Sequence, residues 1–423
     1  MTNLHKTSYF DEALETMSAQ DAARYRNERL REVVAHAYAH APAVRAKFDA
    51  AGLKPQDVQT VADLAKVPVT RKDELRELQR AEPPFGGFLA VARQQLKRIF
   101  MSPGPIYDPQ GDKRDYWRWA QALYAAGFRE GDIVQNTFSY HLTPAGLMFD
   151  EGLRVLGCVV VPTGVGNTEL QVQIMHDLGV TGYVGTPSFL MTLLEKAEER
   201  GYDLQRDLAL RVAFVTAEPF PQSLRQAFAQ RGITARQGYG TADVGALGYE
   251  CAEEAGLHIP HDVIVQIADP ITGEPLGPGQ VGEIVVTLLE ETYPLIRFGT
   301  GDLSSYTEES CPCGRTSNRL LGLVGRVGDG VKVRGMFVYP HQADQVVARF
   351  PEIARYQVIV TRKAHRDQMT FRLEVEETVE DREKLERDLR DAIREVMKLR
   401  AEVEIVPPGT IPEGAKKIED QRT

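Results

Sequence analysis

The sequence predicts an α/β protein: a large N-terminal domain of βαβ-type sheets with a β-rich subdomain, followed by a small, mobile α/β C-terminal domain. Three observations predict it. From about residue 115, apolar β-branched runs alternate with helical patterns of roughly ten to fifteen residues, the mark of βαβ units and a mainly parallel sheet. After Tyr239 the pattern changes to β-hairpins punctuated by Gly and Pro. The segment GLVGRVGDGVKVRG then holds five glycines in fourteen residues and suits a flexible joint ahead of a last compact stretch. At 423 residues the chain exceeds what one core usually supports. The expected domains are 1–325 and 326–423, with an active cleft at their boundary near Arg326.

In chain order, residues 8–50 read as helices, with Leu30, Val33, Val34, Ala37 and Tyr38 recurring at helical spacing. A proline-punctuated region follows, in which Thr70 is expected to cap a helix starting at Arg71. DYWRWAQALYAAG, AGLMFDEGLRVLG, TELQVQIMHDLG and PSFLMTLLEKAEERG read as helices. DIVQNTF, CVVVPTG, GYVGT and RVAFVTAE read as strands between or after them. DVIVQIADPITGEPLGPGQVGEIVVTLL reads as hairpins turning at Asp269–Gly273 and Gly277–Gly282. The C-terminal domain reads as a helix (HQADQVVARF), strands (RYQVIVTRK, QMTFRLEVE), a charged helix (VEDREKLERDLRDAIREVMKL) and a strand (AEVEIVP). The mixed charges of that helix at i,i+4 spacing read as a solvated face.

Composition narrows the function. Hydrophobic content of 43% and charged content of 26% are globular values. A formal net charge of -10 gives no pull toward nucleic acid or anionic membrane. No run of about 18 apolar residues exists, and the start lacks a signal-peptide pattern, so a cytoplasmic protein is expected. Four cysteines do not make a disulfide scaffold in a chain this long. Cys158, in an apolar strand, reads as core. Cys251, His258, Cys311 and Cys313 instead form a Cys-x6-His…Cys-x-Cys set, the donors of a closed tetrahedral structural Zn²⁺ site. The alternative is free thiols in a turn. Pro312 and Gly314 favour a tight knuckle aiming both thiolates at one point.

Three further segments carry chemistry. In QGYGTADVG (Gln237–Gly245), backbone amides and a flat ring beside a carboxylate suit a nucleotide whose metal-bound phosphates need an acidic ligand. A glycine-rich turn is the alternative. In YPLIRFGTGDL, Asp302 at a strand end can accept hydrogen bonds from a ribose diol, or serve a turn. GRVGDGVKVRG presents Arg326, Asp329 and Lys332, or is a solvated linker.

In this order the segments resemble the adenylate-forming superfamily of acyl- and aryl-CoA synthetases, and more closely its phenylacetate-CoA ligase branch. The resemblance rests on YGTAD (239–243), ECAEEAGLHIPHD (250–262), PLIRFGTGDL (294–303), CPCGRT (311–316) and GRVGDGVKVRGMFVYP (325–340). GVGNTELQ (164–171), GTPSF (185–189), TAEPF (216–220) and the closing EGAKKIEDQR add to it, so the whole chain is covered. The resemblance implies a carboxylate attacking the α-phosphate of ATP, with Mg²⁺, to give an acyl adenylate. After the C-terminal domain rotates, the coenzyme A thiol displaces AMP. It implies an adenine pocket at Ala217, Glu218 and Pro219, nucleotide contacts at Gly238, Tyr239, Gly240 and Thr241, and Asp243 at the position of the Mg²⁺-associated acid. Asp302 would bind the ribose hydroxyls and Arg326 the ribose or phosphate. Phe138, Tyr140 and His141 would line an aryl pocket, or pack as ordinary core. A homodimer is usual in the branch.

The phosphate loop departs from the family pattern. In FMSPGPIYDP (100–109), only Ser102, Gly104 and Pro109 stay in register, while Pro103 and Pro105 remove backbone donors. Asp108 brings negative charge where the family has a cation, which repels polyphosphate by Coulomb sign. The acid after the tyrosine–glycine pair is Asp243, one methylene shorter than glutamate. Gly328 replaces a hinge acid. The adenylation lysine aligns with Gly414 without a gap, or with Lys416 after a one-residue slip. The leading function is an aryl- or arylacetate-CoA ligase. The alternatives are an adenylyl transferase to a phenolic hydroxyl, and a non-adenylating homologue that binds an aryl-CoA or acyl adenylate.

Overall fold

A computed structural model describes residues 8–422 apart from Pro103, Gly335, 364–365 and 376–380. The chain divides into two units. The larger runs to Thr300 and includes Ser304–Gly322; the smaller holds Gly301–Leu303 and Leu323 onward.

In the larger unit, α1 (Glu12–Glu15), α2 (Ala19–His40) and α3 (Pro42–Ala50) precede a two-residue strand β1 (Thr70–Arg71) and α4 (Lys72–Ala81). Thr70 does not cap α4. Its amide pairs with the Arg297 carbonyl, its hydroxyl takes the Lys47 ammonium, and Arg71 occupies the N-cap. Pairing with the sheet has won over the cap. A hairpin of β2 (Arg98–Ser102) and β3 (Ile106–Gln110) follows, then α5 (Trp119–Ala126). The alternating text gives β4 (Ile133–Asn136), α6 (Ala145–Val155), β5 (Val159–Val161), α7 (Thr168–Asp177), β6 (Gly182–Gly185), α8 (Pro187–Glu199), β7 (Val212–Val215), α9 (Gln222–Gln230) and β8 (Thr234–Thr241).

These five strands pair in parallel in the order β8-β7-β6-β4-β5. The central strands β4, β6 and β7 are buried on both faces, while β5 at the edge exposes Val159 and β8 is only partly buried. Two clusters flank the strands, one around Phe128, Phe149 and Phe214, the other around Tyr183, Leu193 and Phe228. The chain leaves β4 toward β5 and β6 toward β7, so the crossover direction reverses between the neighbours β4 and β6. That reversal is a topological switch point, where open α/β sheets bind ligands at the strands' carboxyl ends.

β8 has two partners. Its first half pairs in parallel with β7, while Gly238–Thr241 pair antiparallel with β9 (Gly245–Tyr249), with a register shift at Tyr239/Gly240. It thus joins the parallel strands to an antiparallel region of β10 (Leu257–His258), β11 (Val263–Ala268), β12 (Gly282–Leu288), β13 (Phe298–Thr307) and β14 (Arg319–Arg326).

The smaller unit contains a β15 (Val331–Val333)–β16 (Met336–Val338) hairpin and α10 (Pro340–Val347). It continues with β17 (Ile353–Lys363), β18 (Arg366–Val375), α11 (Arg382–Met397), β19 (Glu402–Val406) and β20 (Ile418–Asp420). Its sheet runs β19-β18-β17-β20. It has its own core, with Phe371, Leu373, Leu389 and Ile393 buried together. Among the described residues no helix is long and apolar enough to cross a membrane.

Candidate functional site

The segments singled out in the larger unit's nucleotide half follow the carboxyl ends of the parallel strands. Phe138–His141 follow β4 at the switch point, Ala217–Pro219 follow β7, and Tyr239–Asp243 end β8 and turn into β9. Ala217 has φ of 70°, a left-handed conformation that costs a non-glycine residue energy and concentrates at functional sites. Ala217, Glu218 and Pro219 are exposed, and the Ser188 amide donates to Glu218 (3.3 Å). Tyr239 is buried, its hydroxyl 3.5 Å from Thr300 Oγ1. Gly238 and Gly240 have a packing reason of their own. A Cβ on Gly238 would stand 2.4 Å from the Phe214 ring, and one on Gly240 would stand 2.3 Å from the Gly245 carbonyl.

Asp243 is buried at the turn between β8 and β9. One carboxylate oxygen accepts from Lys72 Nζ (2.7 Å) and from the Thr241 hydroxyl (3.2 Å), while the other has no hydrogen-bond partner. Arg118, itself buried with φ of 64°, donates to the Val244 carbonyl and steadies the turn. Neither Lys72 nor Arg118 is signalled by the sequence. Both lie more than a hundred residues from Asp243, and only packing brings them there.

The phosphate-loop candidates form the β2–β3 hairpin. Ser102 pairs with Ile106 and Phe100 with Asp108. Gly104 has φ of 131° at an exposed tip, and Pro103 lies outside the described residues. Side chains two apart share a strand face, so Ile106 and Asp108 point inward while Tyr107 is exposed. Asp108 is only 4% exposed, and neither of its oxygens makes a well-aligned hydrogen bond among the described residues. Burial, then the charge of Asp243, pushes its pKa up to about 8, against smaller downward pulls from Ser102 and Lys72. The acid therefore holds its proton at neutral pH when nothing else is bound.

Phe138 stacks on Phe149 (centroids 5.0 Å apart). The Tyr140 hydroxyl donates to Asp150 (3.2 Å) and accepts from Asn136 Nδ2 (2.8 Å), and His141 is exposed. In the smaller unit Arg326 Nε meets Asp302 Oδ1 at 3.2 Å, and the Asp329 carboxylate accepts from the Arg326 amide. Lys416 is exposed, whereas Lys417 is tied to Asp344 at 2.5 Å.

The Cys/His set converges. The candidate donor atoms of Cys251, His258, Cys311 and Cys313 all lie within 4.8 Å of one another. Cys251 Sγ is 3.7 Å from Cys311 Sγ, and Cys313 Sγ is 3.4 Å from His258 Nε2. Tetrahedral Zn²⁺ with Zn–S of about 2.3 Å and Zn–N of about 2.0 Å sets ligand–ligand edges of roughly 3.5–3.8 Å, so the donor set fits that ion. Pairing of Tyr249 with His258 and of His258 with Arg319 draws the distant halves together. His258 Nδ1 is 3.2 Å from the Ser317 hydroxyl. Burial, helped by Arg315 and Arg319, drops the His258 pKa to about 3, leaving a neutral imidazole, and burial raises Cys251 to about 12. The N-terminal segment clasps this knuckle. Arg315 makes a buried 2.6 Å pair with Glu15, and the Tyr9 hydroxyl donates to the Cys313 carbonyl (2.8 Å).

A parallel sheet with candidate nucleotide segments at its carboxyl ends, joined to an antiparallel region and followed by a small α/β unit, defines an adenylate-forming enzyme. Family models agree: that for the AMP-binding enzyme matches residues 145–287, and that for the AMP-binding enzyme C-terminal domain matches 335–422. The phenylacetate-coenzyme A ligase of Thermus thermophilus is 34% identical over 95% of this chain and 97% of its own length. That of Escherichia coli is 33% identical over 96% and 95%. An open conformation of 2-hydroxyisobutyryl-CoA ligase, in complex with 2-HIB-AMP and CoA, superposes with a TM-score of 0.87 and 25% identity, over 100% of this chain and 96% of that one. The chain belongs to the phenylacetate-CoA ligase family, and it is an AMP-forming acid–thiol ligase.

Proposed function

We propose that the enzyme activates an aromatic or arylacetic carboxylate as its acyl adenylate and passes the acyl group to coenzyme A. The observation that carries this is the end-to-end alignment with phenylacetate-CoA ligases, with Phe138 placed after β4 at the switch point, half-buried and stacked on the buried Phe149 of α6. The substrate carboxylate attacks the α-phosphorus of ATP and pyrophosphate leaves. The coenzyme A sulfur then attacks the acyl carbonyl and AMP leaves. On this reading Ala217–Pro219 and Gly238–Thr241 hold the adenine, and Asp302 and Arg326 hold the ribose side. Asp243, with one carboxylate oxygen unpartnered, suits a ligand to the Mg²⁺ that travels with ATP. When bound, that ion would offset phosphate charge during pyrophosphate departure. Lys416, exposed beside the paired Lys417, is the candidate adenylation lysine.

The same proposal gives Cys251, His258, Cys311 and Cys313 a structural Zn²⁺, supported by the convergence of the four donors and by two donor distances, 3.7 and 3.4 Å, that match tetrahedral edges. It includes the homodimer and cytoplasmic setting expected from the sequence, the first of which sedimentation measures. Pyrophosphate release, assayed with a panel of aryl and aliphatic acids with and without coenzyme A, tests the function. Aryl acids should release pyrophosphate, and the aryl-CoA thioester should form only when coenzyme A is present. Nucleotide transfer to a phenol without coenzyme A would instead favour the adenylyl-transferase alternative. Tight CoA-ester binding with no turnover of any acid would favour the binding homologue.

A further inference from the structure

We infer that Asp108 is a second carboxylate ligand, beside Asp243, for the divalent cation that accompanies the nucleotide phosphates; this rests on the ATP-dependent reading above. The starting point is a cost the fold carries without visible compensation. A buried polar group is normally hydrogen-bonded, and a buried carboxylate above all. Asp108 makes no well-aligned hydrogen bond at either oxygen, although Ser102 stands near it as a donor, and Asp243 leaves one oxygen unpartnered. Three such oxygens of two carboxylates thus occur in one neighbourhood, which both acids share with Lys72 and Tyr293.

The local structure maintains this arrangement. Strand alternation turns Asp108 inward with Ile106. Gln79 of α4 holds the hairpin from the other side, donating to the Tyr107 carbonyl (2.9 Å) and accepting from the Tyr107 amide (2.8 Å). It also donates to the Tyr293 hydroxyl at 3.1 Å. Lys72, about two α4 turns upstream of Gln79, satisfies a single oxygen of Asp243.

Charge decides what the arrangement is for. With Asp108 protonated, as in the metal-free protein, Asp243 and the Lys72 ammonium cancel and offer a polyphosphate no attraction; with both acids ionised the set carries minus one, which is repulsive. A bound divalent cation turns the same set to plus one, which is attractive. Mg²⁺ is usually held by one or two carboxylates together with substrate phosphates, which is the donor set offered here. The hairpin's acid, where a cation was expected, then contributes positive charge indirectly, through the metal.

The test is direct cation binding. Mn²⁺ is titrated into the full-length protein with saturating α,β-methylene-ATP and followed by the loss of its free electron paramagnetic resonance signal. Wild type, Asp108→Asn and Asp243→Asn are compared, with nucleotide affinity measured separately in EDTA. Wild type should bind Mn²⁺ on the order of tenfold or more tightly than either variant, while in EDTA Asp108→Asn should bind the nucleotide no more weakly than wild type. Equal Mn²⁺ affinity in wild type and Asp108→Asn overturns the inference. So does an Asp108→Asn defect in nucleotide binding of the same size in Mn²⁺ and in EDTA, which would mark Asp108 as structural. Circular dichroism establishes that the variants are folded, and Asp108→Ser serves if Asp108→Asn is not. No acid enters this assay, so its failure leaves the aryl-acid proposal standing, and the reverse also holds.

Discussion

A methyl group added at Gly238 would need to displace the Phe214 ring, which stands 2.4 Å from the ideal Cβ position, and would also press on the Gly248 carbonyl at 3.1 Å. Gly238→Ala is therefore expected to lower stability by about 1–3 kcal/mol through overpacking, read as a lower thermal midpoint with no ligand present. Asp108 gives a pH dependence with a definite sign. Its folded pKa of about 8 lies above the roughly 3.9 of an unfolded chain. Between those values the native state binds more protons, so this group's contribution to stability falls as pH rises through the window. In EDTA, Asp108→Asn should remove that part of the decline. Urea melts at pH 5 and pH 8 should show the variant gaining on wild type at the higher pH, and an unchanged difference would refute the assignment. Residue types were legible in the sequence; residue neighbours were not. Asp243 stood out beside its glycines. Lys72, which neutralises it, is 171 positions away and sits on an ordinary charged helix.

At the scale of elements, the βαβ half was legible because its strands are short apolar runs and its helices carry a separate period. The sequence showed β8 only as a strand before a glycine turn. Its double pairing, parallel then antiparallel, depends on partners on both sides, and no local signal encodes it. The β2–β3 hairpin read as a loop because prolines at 103, 105 and 109 suppress strand propensity. In the structure Pro109 lies within β3, opposite Ile99. The last strand, β20, was missed for a different reason. Three residues carry no period, and β20 exists only by parallel pairing to β17. The cysteine knuckle was legible as donor types, while its convergence required the β9–β10–β14 pairing. That element carries its own prediction. Metal analysis should find about one zinc per chain, and Cys313→Ser should lose it and lower the thermal midpoint. The buried Arg315–Glu15 pair is anchored on the same turn, so metal loss should also expose the N-terminal segment to protease. A metal-free protein with an unchanged melt would sink the zinc assignment.

For the whole molecule, what matters is that the two units keep separate cores. The smaller unit's buried cluster draws only on residues from Val333 to Ile418. The cysteine knuckle and its clasp draw on residues from Tyr9 to Ser317, all in the larger unit. A core that is complete within one stretch of chain can unfold as its own cooperative unit. Calorimetry of the full-length protein is accordingly expected to resolve two transitions. A strong zinc chelator should lower the transition of the larger unit, because removing a ligand that binds only the folded state removes its stabilisation, and leave the other in place. Val358→Ala, which empties a fully buried position in the small core, should do the opposite, lowering the smaller unit's transition by a core-cavity cost of about 1–3 kcal/mol. Each perturbation is thus directed at one unit. A single transition moved equally by both would show that the units melt as one and that the separation of their cores has no energetic consequence.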